Sequence, residues 1–344
     1  MIRLRTLLVR ATLCLFALTL LAATAAATGL QAWREERLAR LEARSAVAAT
    51  ERGAVEYAAQ GSGPAVLVLH GGFGGFDQGL AYLPGLPEAG FRIIAPSRPG
   101  YLRTPLSTGE TDAQQADAMA ALLDGLGVRR AAVVGISAGG PVAVQFALRH
   151  PERTSALVLA CAITRRTEPR MPDRNAAARW GLGSRLLADI GSWRSERATR
   201  AAPRRAVAYA YRMCDLAPQA QRARLVDEVM ADPAQLERFL RLADSTVPLG
   251  ARLPGLRCDY ARITSLGELP FERVAVPTLV VHGTADKAVG IDHAEQAAAR
   301  IPGATFCRLE GADHLLMLGP HRHAVTREVV AFLGAHTAAA DKPL

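Results

Sequence analysis

Several features that mark particular protein classes are scarce in this 344-residue sequence. It holds five cysteines and no C-x-x-C pair, which excludes zinc-finger and thioredoxin-like sites. It holds no run of six or more like charges, and such runs are typical of nucleic-acid-binding tails. Lysine occurs only twice, at Lys287 and Lys342, so arginine supplies nearly all the positive charge. No nucleic acid is therefore predicted as a partner.

The composition is that of a globular protein. Half of the residues are hydrophobic and 21% are charged, which excludes a disordered or collagen-like chain. The length predicts either two domains of ordinary size or one large α/β domain with an insertion. A chain of this size can build a core that needs neither disulfides nor a structural metal.

The net charge of +9 is unevenly distributed along the chain. Residues 1–52 carry a net charge of +4, and residues 164–268 carry +7. The remainder is slightly acidic, at −2. Two interpretations stay open: a coding bias toward arginine, or a basic surface that favours anionic lipids or anionic substrates.

The N-terminus has the pattern of a membrane-targeting segment. Three arginines, at positions 3, 5 and 10, precede an uncharged stretch over residues 11–33. Residues 1–33 are predicted to be either a single-pass anchor with an exported catalytic domain or a signal segment. In the second case, cleavage after Ala25 or Ala27 would leave a secreted or periplasmic protein. Residues 34–50 are predicted to form a juxtamembrane stalk.

Apolar runs and helical patterns alternate through the rest of the chain. Residues 45–60 predict one or two short strands with a turn at Arg52-Gly53. Further strands are predicted at 65–70, 91–97, 131–136, 156–162, 277–282 and 305–309. Because these strands are apolar throughout, they indicate a parallel sheet that is covered by helices on both faces. The predicted fold class is doubly wound α/β.

One long segment interrupts the alternation. Residues 164–268 contain no convincing strand, and prolines divide them into short helical patterns. They predict a helical cap, between core segments 51–163 and 269–335, with a flexible tail at 336–344. We expect the cap to lie over the carboxyl ends of the strands and to pack through a modest apolar interface.

The sequence GISAG at residues 135–139 matches the G-x-S-x-G pattern. It lies between a predicted strand and a predicted helix, where a nucleophile occupies a strained turn. Gly135 and Gly139 supply the small residues that such a close strand–helix approach requires. Ser137 is therefore the predicted nucleophile.

A second glycine-rich sequence, HGGFGG at residues 70–75, follows the first apolar strand. Its backbone N–H groups could form an oxyanion hole, with Gly72 as one donor and Phe73 as the alternative. Ala138, directly after the nucleophile, would give the second donor. A phosphate-binding loop is excluded because no Lys-Ser/Thr follows the glycines. We expect His70 to be structural.

A serine nucleophile requires a base and an orienting acid. Asp286 and His314 follow two predicted strands and should lie at the same sheet edge as Ser137. Their order in the chain, serine then acid then histidine, is the one expected for a strand-to-helix nucleophile. Asp292 and Asp313 are rival acids, but Asp292 is predicted to cap a helix and Asp313 adjoins the histidine.

The cap supplies the predicted acyl pocket and two cysteines. Phe73 and large cap side chains are the candidates to line the pocket; the cap residues are Trp180, Trp193, Tyr209, Tyr211, Met213 and Phe239. The alternative is that these cap residues hold the cap helices together. Cys214 and Cys258 both fall in the cap, so a disulfide between them stays open. Cys161 and Cys307 lie on non-adjacent predicted strands.

The segments HGGFGGFDQG, APSRPGYLRTPL and VVGISAGGP resemble the α/β-hydrolase superfamily, in a bacterial branch of the hydrolase-1 type. The resemblance covers about residues 50–335. It implies an eight-stranded, mostly parallel sheet with a helical cap after the sixth strand. It also implies the triad Ser137, Asp286 and His314, and neither a metal nor an organic cofactor.

The resulting hypothesis is a membrane-associated serine hydrolase acting on a small-molecule carboxylic ester, lactone or thioester. The same triad could instead cleave a C–C bond, or a peptide as in proline iminopeptidases. A different class of function, an inactive hydrolase fold used for binding, also stays open. The oligomeric state is not predicted.

Overall fold

A computed structural model describes residues 2–168 and 182–337 of the chain. Its centre is an eight-stranded sheet in the order β1-β2-β4-β3-β5-β6-β7-β8. The first two strands run antiparallel to their neighbours, and the other strands are parallel. The strands are β1 Ala46–Thr50, β2 Gly53–Gln60, β3 Ala65–Leu69, β4 Arg92–Pro96, β5 Ala131–Ile136, β6 Thr154–Ala160, β7 Thr278–Gly283 and β8 Thr305–Leu309.

Helices cover both faces of this sheet. Along strand β3, Val66 and Val68 enter one core while Leu67 and Leu69 enter the other. The first core also contains residues of the second and last helices, and the second core contains residues of three others. The predicted doubly wound sheet is confirmed, because strands buried on both faces need apolar residues at every position. The helices that cover the sheet are α2 Phe76–Tyr82, α3 Asp112–Gly125, α4 Gly140–Arg149, α10 Asp292–Arg300 and α11 Arg322–Thr337, and helix α1 Ile2–Glu42 precedes the first strand.

The helical cap follows the sixth strand, as predicted. Its described helices are α5 Leu182–Ala201, α6 Pro203–Cys214, α7 Gln219–Ala231, α8 Pro233–Asp244 and α9 Leu253–Thr264. Helices α6, α7 and α8 enclose an apolar cluster around Val207, Tyr211 and Phe239, which Leu318 of the core also joins. The cap is therefore a packed unit and not a set of loose helices.

The junction between cap and core contains the predicted apolar contacts, with Ile263 of α9 against Val289 and Leu256 against Tyr101, and it also contains buried charges. Two arginines with no exposed surface form bidentate ion pairs across it. Arg98 of the core binds Asp259 of α9 at 2.8 and 2.6 Å. Arg252 of the cap binds Asp77 of α2 at 3.0 and 2.8 Å. Two charged networks thus cross the junction beside its apolar contacts, and apolar patterning alone does not reveal them.

Helix α1 continues without a break from the apolar segment into the predicted stalk. By length and composition alone, it is the one helix among the described residues that could cross a membrane, over Thr12–Glu42. Its large apolar side chains between Leu13 and Leu21 are more than half exposed. Residues 46–50 lie in both the predicted stalk and the predicted strand region 45–60, and they form edge strand β1, which pairs with β2.

The end of the predicted membrane segment and the helical part of the stalk both pack against the cap. Trp33 Nε1 donates to Glu196 of α5 at 2.6 Å, and Arg34 binds Asp189 at 3.0 Å. Arg37 also binds Glu196 and reaches Asp244 of α8 at 3.3 Å. These hydrogen bonds and ion pairs hold the N-terminal helix in a fixed position against the cap.

Two further predictions concern a disulfide in the cap and a flexible tail at the C-terminus. All five cysteines lie in the described part of the chain and are free, so Cys214 and Cys258 are not bonded. Helix α11 continues to Thr337, two residues into the predicted tail. Residues 338–344 and Trp180 lie outside the described residues.

Candidate active site

Ser137 stands on the turn between strand β5 and helix α4. Its φ of 48° lies in the left-handed region, which a non-glycine residue adopts only under local constraint. A Cβ on Gly135 would lie 2.6 Å from the Ala143 Cβ, and one on Gly139 would lie 2.4 Å from the Leu69 carbonyl oxygen. The strand and the helix approach as closely as the G-x-S-x-G pattern predicts.

The glycine-rich loop, residues 70–75, lies against this turn. A Cβ placed on Gly71 would be 3.1 Å from the Ser137 Cβ. The backbone N–H of Gly72 has no hydrogen-bond acceptor among the described residues. Ala138 is the second residue of the helical turn Ser137–Gly139, where the first N–H groups lack intrahelical acceptors. Phe73, the alternative donor, has a φ of 65°, and its N–H is also unpaired within the described chain.

His70 is buried beneath the glycine-rich loop. Its Nε2 accepts from the Arg98 backbone N–H at 2.9 Å, so the proton is on Nδ1, which donates to the Gly71 carbonyl at 2.7 Å. Burial and the charges of Arg98 and Arg252 hold the pKa of His70 well below its ordinary value. A neutral histidine with both nitrogens occupied holds the loop in place.

Asp286 and His314 form a hydrogen-bonded pair at the carboxyl end of the sheet. His314 Nδ1 lies 2.7 Å from Asp286 Oδ2. The other oxygen, Oδ1, accepts the backbone N–H groups of Ala288 and Val289 at 2.9 and 2.8 Å. His282 Nε2 lies 3.3 Å from Oδ2. The carboxylate is therefore held in one orientation by its loop.

Opposite pKa shifts follow from this pairing. Burial alone would raise the pKa of Asp286, but the charge of His314 and hydrogen bonds from His282 and His314 lower it to about 2. Burial lowers the pKa of His314, yet the negative charge of Asp286 outweighs it and holds that pKa well above its ordinary value. Asp286 is thus ionised at every working pH.

The rival acids have other partners. Asp292 is half exposed and binds Arg165 at 2.7 Å, and it makes no side-chain cap at the start of α10. Its predicted role as a helix cap is wrong, because the arginine takes its carboxylate. Asp313 accepts from the Leu315 backbone N–H, and burial raises its pKa to about 7. Neither carboxylate is bonded to His314 in the described structure.

Ser137 and His314 face one cavity without yet being hydrogen-bonded. Both line a cavity of about 410 Å³ together with Gly72 and Ala138. No hydrogen bond joins Ser137 to His314 within the described residues, where the imidazole bonds Asp286. Catalytic hydrogen bonds of this kind are commonly long before substrate binds. Proton transfer therefore requires Ser137 Oγ and His314 Nε2 to move within hydrogen-bond distance of each other.

Two of the predicted pocket residues, Phe73 and Met213, line this cavity. Four others were wrongly assigned to it. Tyr211 and Phe239 are buried inside the cap cluster, and Tyr209 is exposed beside Arg212. Trp193 faces the N-terminal helix, where its ring would lie 3.6 Å from a Cβ on Gly29. These large cap side chains pack inside the cap or against helix α1, or lie exposed, and do not line the cavity.

Sequence reasoning missed most of the actual lining. Helix α9 contributes Leu256, Asp259, Tyr260 and Ile263 to the cavity. Apolar spacing at i, i+4 and i+7 could have indicated that this helix has a buried face, but not which space it faces. Cys161 was considered only for disulfides. It follows β6 with a φ of 40°, and its Sγ lies 3.3 Å from the Tyr82 hydroxyl.

Within the described chain, one group of three side chains has metal-ligating atoms within 4.8 Å of one another: Cys161, Asp286 and His314. Its aspartate and histidine are 2.7 Å apart, which is a hydrogen-bond distance. Both oxygens of Asp286 already accept hydrogen bonds. We therefore assign this group to acid–base chemistry.

Comparisons with known proteins agree with this geometry. A family profile described as the alpha/beta hydrolase fold matches residues 64–319. A solved alpha/beta hydrolase fold protein from Nakamurella multipartita is 33% identical, with a TM-score of 0.76, over 85% of this chain and 99% of that one.

Two relatives that match most of this chain have names that state a substrate. The pimeloyl-[acyl-carrier protein] methyl ester esterase of Aromatoleum aromaticum is 31% identical, over 73% of this chain and 91% of that protein. A 2-hydroxy-6-oxononadienedioate/2-hydroxy-6-oxononatrienedioate hydrolase of Cupriavidus pinatubonensis is 28% identical, over 78% and 86%. The chain is thus similar both to an esterase and to a hydrolase of oxo-diacids.

Proposed function

Because the chain belongs to the α/β-hydrolase family, we propose that this hydrolase is a membrane-associated serine esterase that forms an acyl-enzyme. The observation that carries the proposal is the arrangement of three features around one cavity. These are the strained Ser137 turn, the glycine-rich loop against it, and the 2.7 Å pair of Asp286 and His314. A fluorophosphonate probe tests the proposal, because it labels an activated serine.

The mechanism follows from the position of each group. Ser137 Oγ attacks the ester carbonyl carbon while His314 Nε2 takes the hydroxyl proton. The N–H groups of Gly72 and Ala138 stabilise the oxyanion, and each such donor lowers the barrier by about 3 kcal/mol. His314 then returns the proton to the leaving alcohol. Water hydrolyses the acyl-enzyme by the same steps, and Asp286 stabilises the imidazolium each time.

The lining of the cavity favours an uncharged, apolar substrate. No lysine or arginine lines it among the described residues. Its one carboxylate apart from the triad is Asp259, which already binds Arg98 and Tyr101. A substrate carboxylate would find no free cation there, and burying an unpaired charge is costly. The basic excess of the cap therefore does not predict an anionic substrate.

Hydrolysis of a C–C bond is the second candidate, supported by the similarity to the oxo-diacid hydrolase. Such a diacid would need cationic partners, which the described lining lacks. Peptidase activity on a free amino terminus would need an unpaired cap carboxylate. Asp259 is not free, since two arginines and a tyrosine bind it. These contacts favour the ester, and a lactone or thioester fits the same site.

A matched pair of esters tests the substrate class. We expect kcat/KM for p-nitrophenyl butyrate to exceed that for p-nitrophenyl hydrogen succinate more than about tenfold, because the succinate carboxylate must be buried unpaired. Measurements at low and high salt control for long-range attraction by the basic cap. Equal rates, or faster cleavage of the succinate, would contradict an uncharged substrate and favour an oxo-diacid.

Membrane association is supported by the exposed apolar side chains of α1 and by its direct packing on the cap. We expect the full-length protein to stay with membranes after an alkaline carbonate wash, because an apolar helix of this length can span the bilayer. N-terminal sequencing distinguishes the two alternatives. A mature end at Ala26 or Thr28 in soluble protein would identify a cleaved signal and would contradict the anchor.

A further inference from the structure

The cap is connected to the glycine-rich loop through one buried arginine. Arg98 follows strand β4 and has no exposed surface. Its Nε donates to the His70 carbonyl at 2.9 Å, and its Nη1 and Nη2 bind both oxygens of Asp259 on cap helix α9. The guanidinium therefore spans from the loop to the cap with no intervening residue.

The same arginine fixes the peptide that carries the predicted oxyanion donor. The Gly71 carbonyl accepts from His70 Nδ1 at 2.7 Å and lies 3.4 Å from Arg98 Nη2. The Arg98 backbone N–H holds His70 from its other side at 2.9 Å. In a trans peptide the C=O and the following N–H point in opposite directions. Because the Gly71 carbonyl points toward Arg98, the Gly72 N–H points away from it, on the cavity side.

Asp259 is held in place by more than its arginine. Tyr101 donates its hydroxyl to Asp259 Oδ2 at 2.6 Å, and Arg262 of the same helix also binds the carboxylate. Tyr101 packs edge-on against His70, with ring centroids 4.7 Å apart. A shift of helix α9 would therefore move the arginine, the histidine and the loop together.

From these contacts we infer that Asp259 and Arg98 are positioning residues: they couple the seating of the cap to the orientation of the Gly72 N–H in the oxyanion hole. The inference rests on the proposed serine mechanism. In this role the cap is part of the catalytic geometry. A substrate that holds the cap against the core therefore also aligns the Gly72 N–H. A misplacement of about 1 Å in such a group costs about a hundredfold in rate.

The rival explanation is that the ion pair only stabilises the fold. The two explanations differ when the pair is removed as a whole. Replacing both partners of a buried ion pair by apolar residues commonly keeps or raises stability, whereas removing one leaves a buried charge. Arg262, the other arginine bound to Asp259, keeps Asp112 as its partner. Arg98→Met with Asp259→Leu should therefore restore the thermal midpoint that Asp259→Asn loses. A positioning role predicts that turnover does not recover with it.

The experiment compares the full-length wild type with Asp259→Asn, the double variant and Tyr101→Phe. On p-nitrophenyl butyrate we expect Asp259→Asn to lower kcat about a hundredfold while KM changes less than about threefold. A trifluoromethyl ketone, which forms a tetrahedral adduct, should lose affinity in parallel with kcat. Tyr101→Phe keeps the charge pair and should fold, with a smaller loss in the same direction. Asp189→Asn, another buried cap carboxylate paired with an arginine, should keep kcat.

Each result decides the question. Low kcat and weak ketone binding in a double variant with a wild-type thermal midpoint would support positioning. Recovery of kcat together with the thermal midpoint in the double variant would overturn the positioning role. An equal loss of kcat in Asp189→Asn would also overturn it. If the other variants fail to fold, an unchanged kcat in Tyr101→Phe would overturn it instead. Absence of hydrolysis and labelling in the wild type would instead contradict the proposed function itself.

Discussion

Replacing Ser137 by alanine is expected to reduce ester turnover by about 10⁴-fold to 10⁶-fold, the range seen when a serine nucleophile is removed. The hydroxyl is the only group in the proposed mechanism that bonds covalently to the substrate. The side chain stands at the strained turn, half-buried, and fills no core volume. The free energy of unfolding should therefore change by less than about 1 kcal/mol.

Two measurements check this expectation. Initial rates on p-nitrophenyl butyrate give the loss, and mass spectrometry after fluorophosphonate treatment shows whether a peptide containing residue 137 carries the adduct. Ser107→Ala, at an exposed serine of the core, is the matched control and should keep wild-type rate and labelling. A folded Ser137→Ala protein that kept a tenth of wild-type turnover would exclude Ser137 as the nucleophile.

The sequence predicted the site's location because its parts lie in short local patterns. GISAG requires a strand, a strained residue and a helix within a few positions, and the structure has Ser137 at a φ of 48° between β5 and α4. The acid and the base could be placed because the carboxyl ends of parallel strands share one edge. Each of these inferences depends on neighbours in sequence or on a regular sheet.

The cap could not be predicted in the same way. Its helices show apolar faces, but such a face can pack inside the cap cluster, against helix α1 or toward the cavity. Phe239 lies in the cap cluster, Trp193 lies against α1, and Leu256 lines the cavity. The ion pairs of Arg98 and Arg252 join residues more than 150 positions apart, so no local pattern indicates them. The sequence alone does not determine which distant residues pair across the junction between core and cap.

Replacing Asp286 by asparagine is expected to lower kcat by about 10⁴-fold without unfolding the protein, since a neutral amide favours the wrong imidazole tautomer. His314 Nδ1 now donates to Oδ2 at 2.7 Å, which leaves Nε2 free to take the proton from Ser137. An amide nitrogen at that position would donate to Nδ1 instead and would put the proton on Nε2. Asp292→Asn is the matched control, because that exposed carboxylate binds only Arg165 among its described partners.

The pH dependence separates this role from a purely structural one. In the wild type, the charge of Asp286 holds the pKa of His314 well above 6.5, so labelling by the fluorophosphonate should fall as the pH drops through that raised value. In Asp286→Asn that charge is gone, so the pKa of the imidazole should fall, because burial lowers it and only the interaction with Cys161 still raises it. The acid limb of the residual rate should therefore move to lower pH, and in Asp292→Asn it should stay in place.

If Asp292→Asn had the larger loss and the shifted limb, the acid would have to be reassigned to Asp292. An unshifted limb in both variants would mean that neither carboxylate sets the charge state of His314.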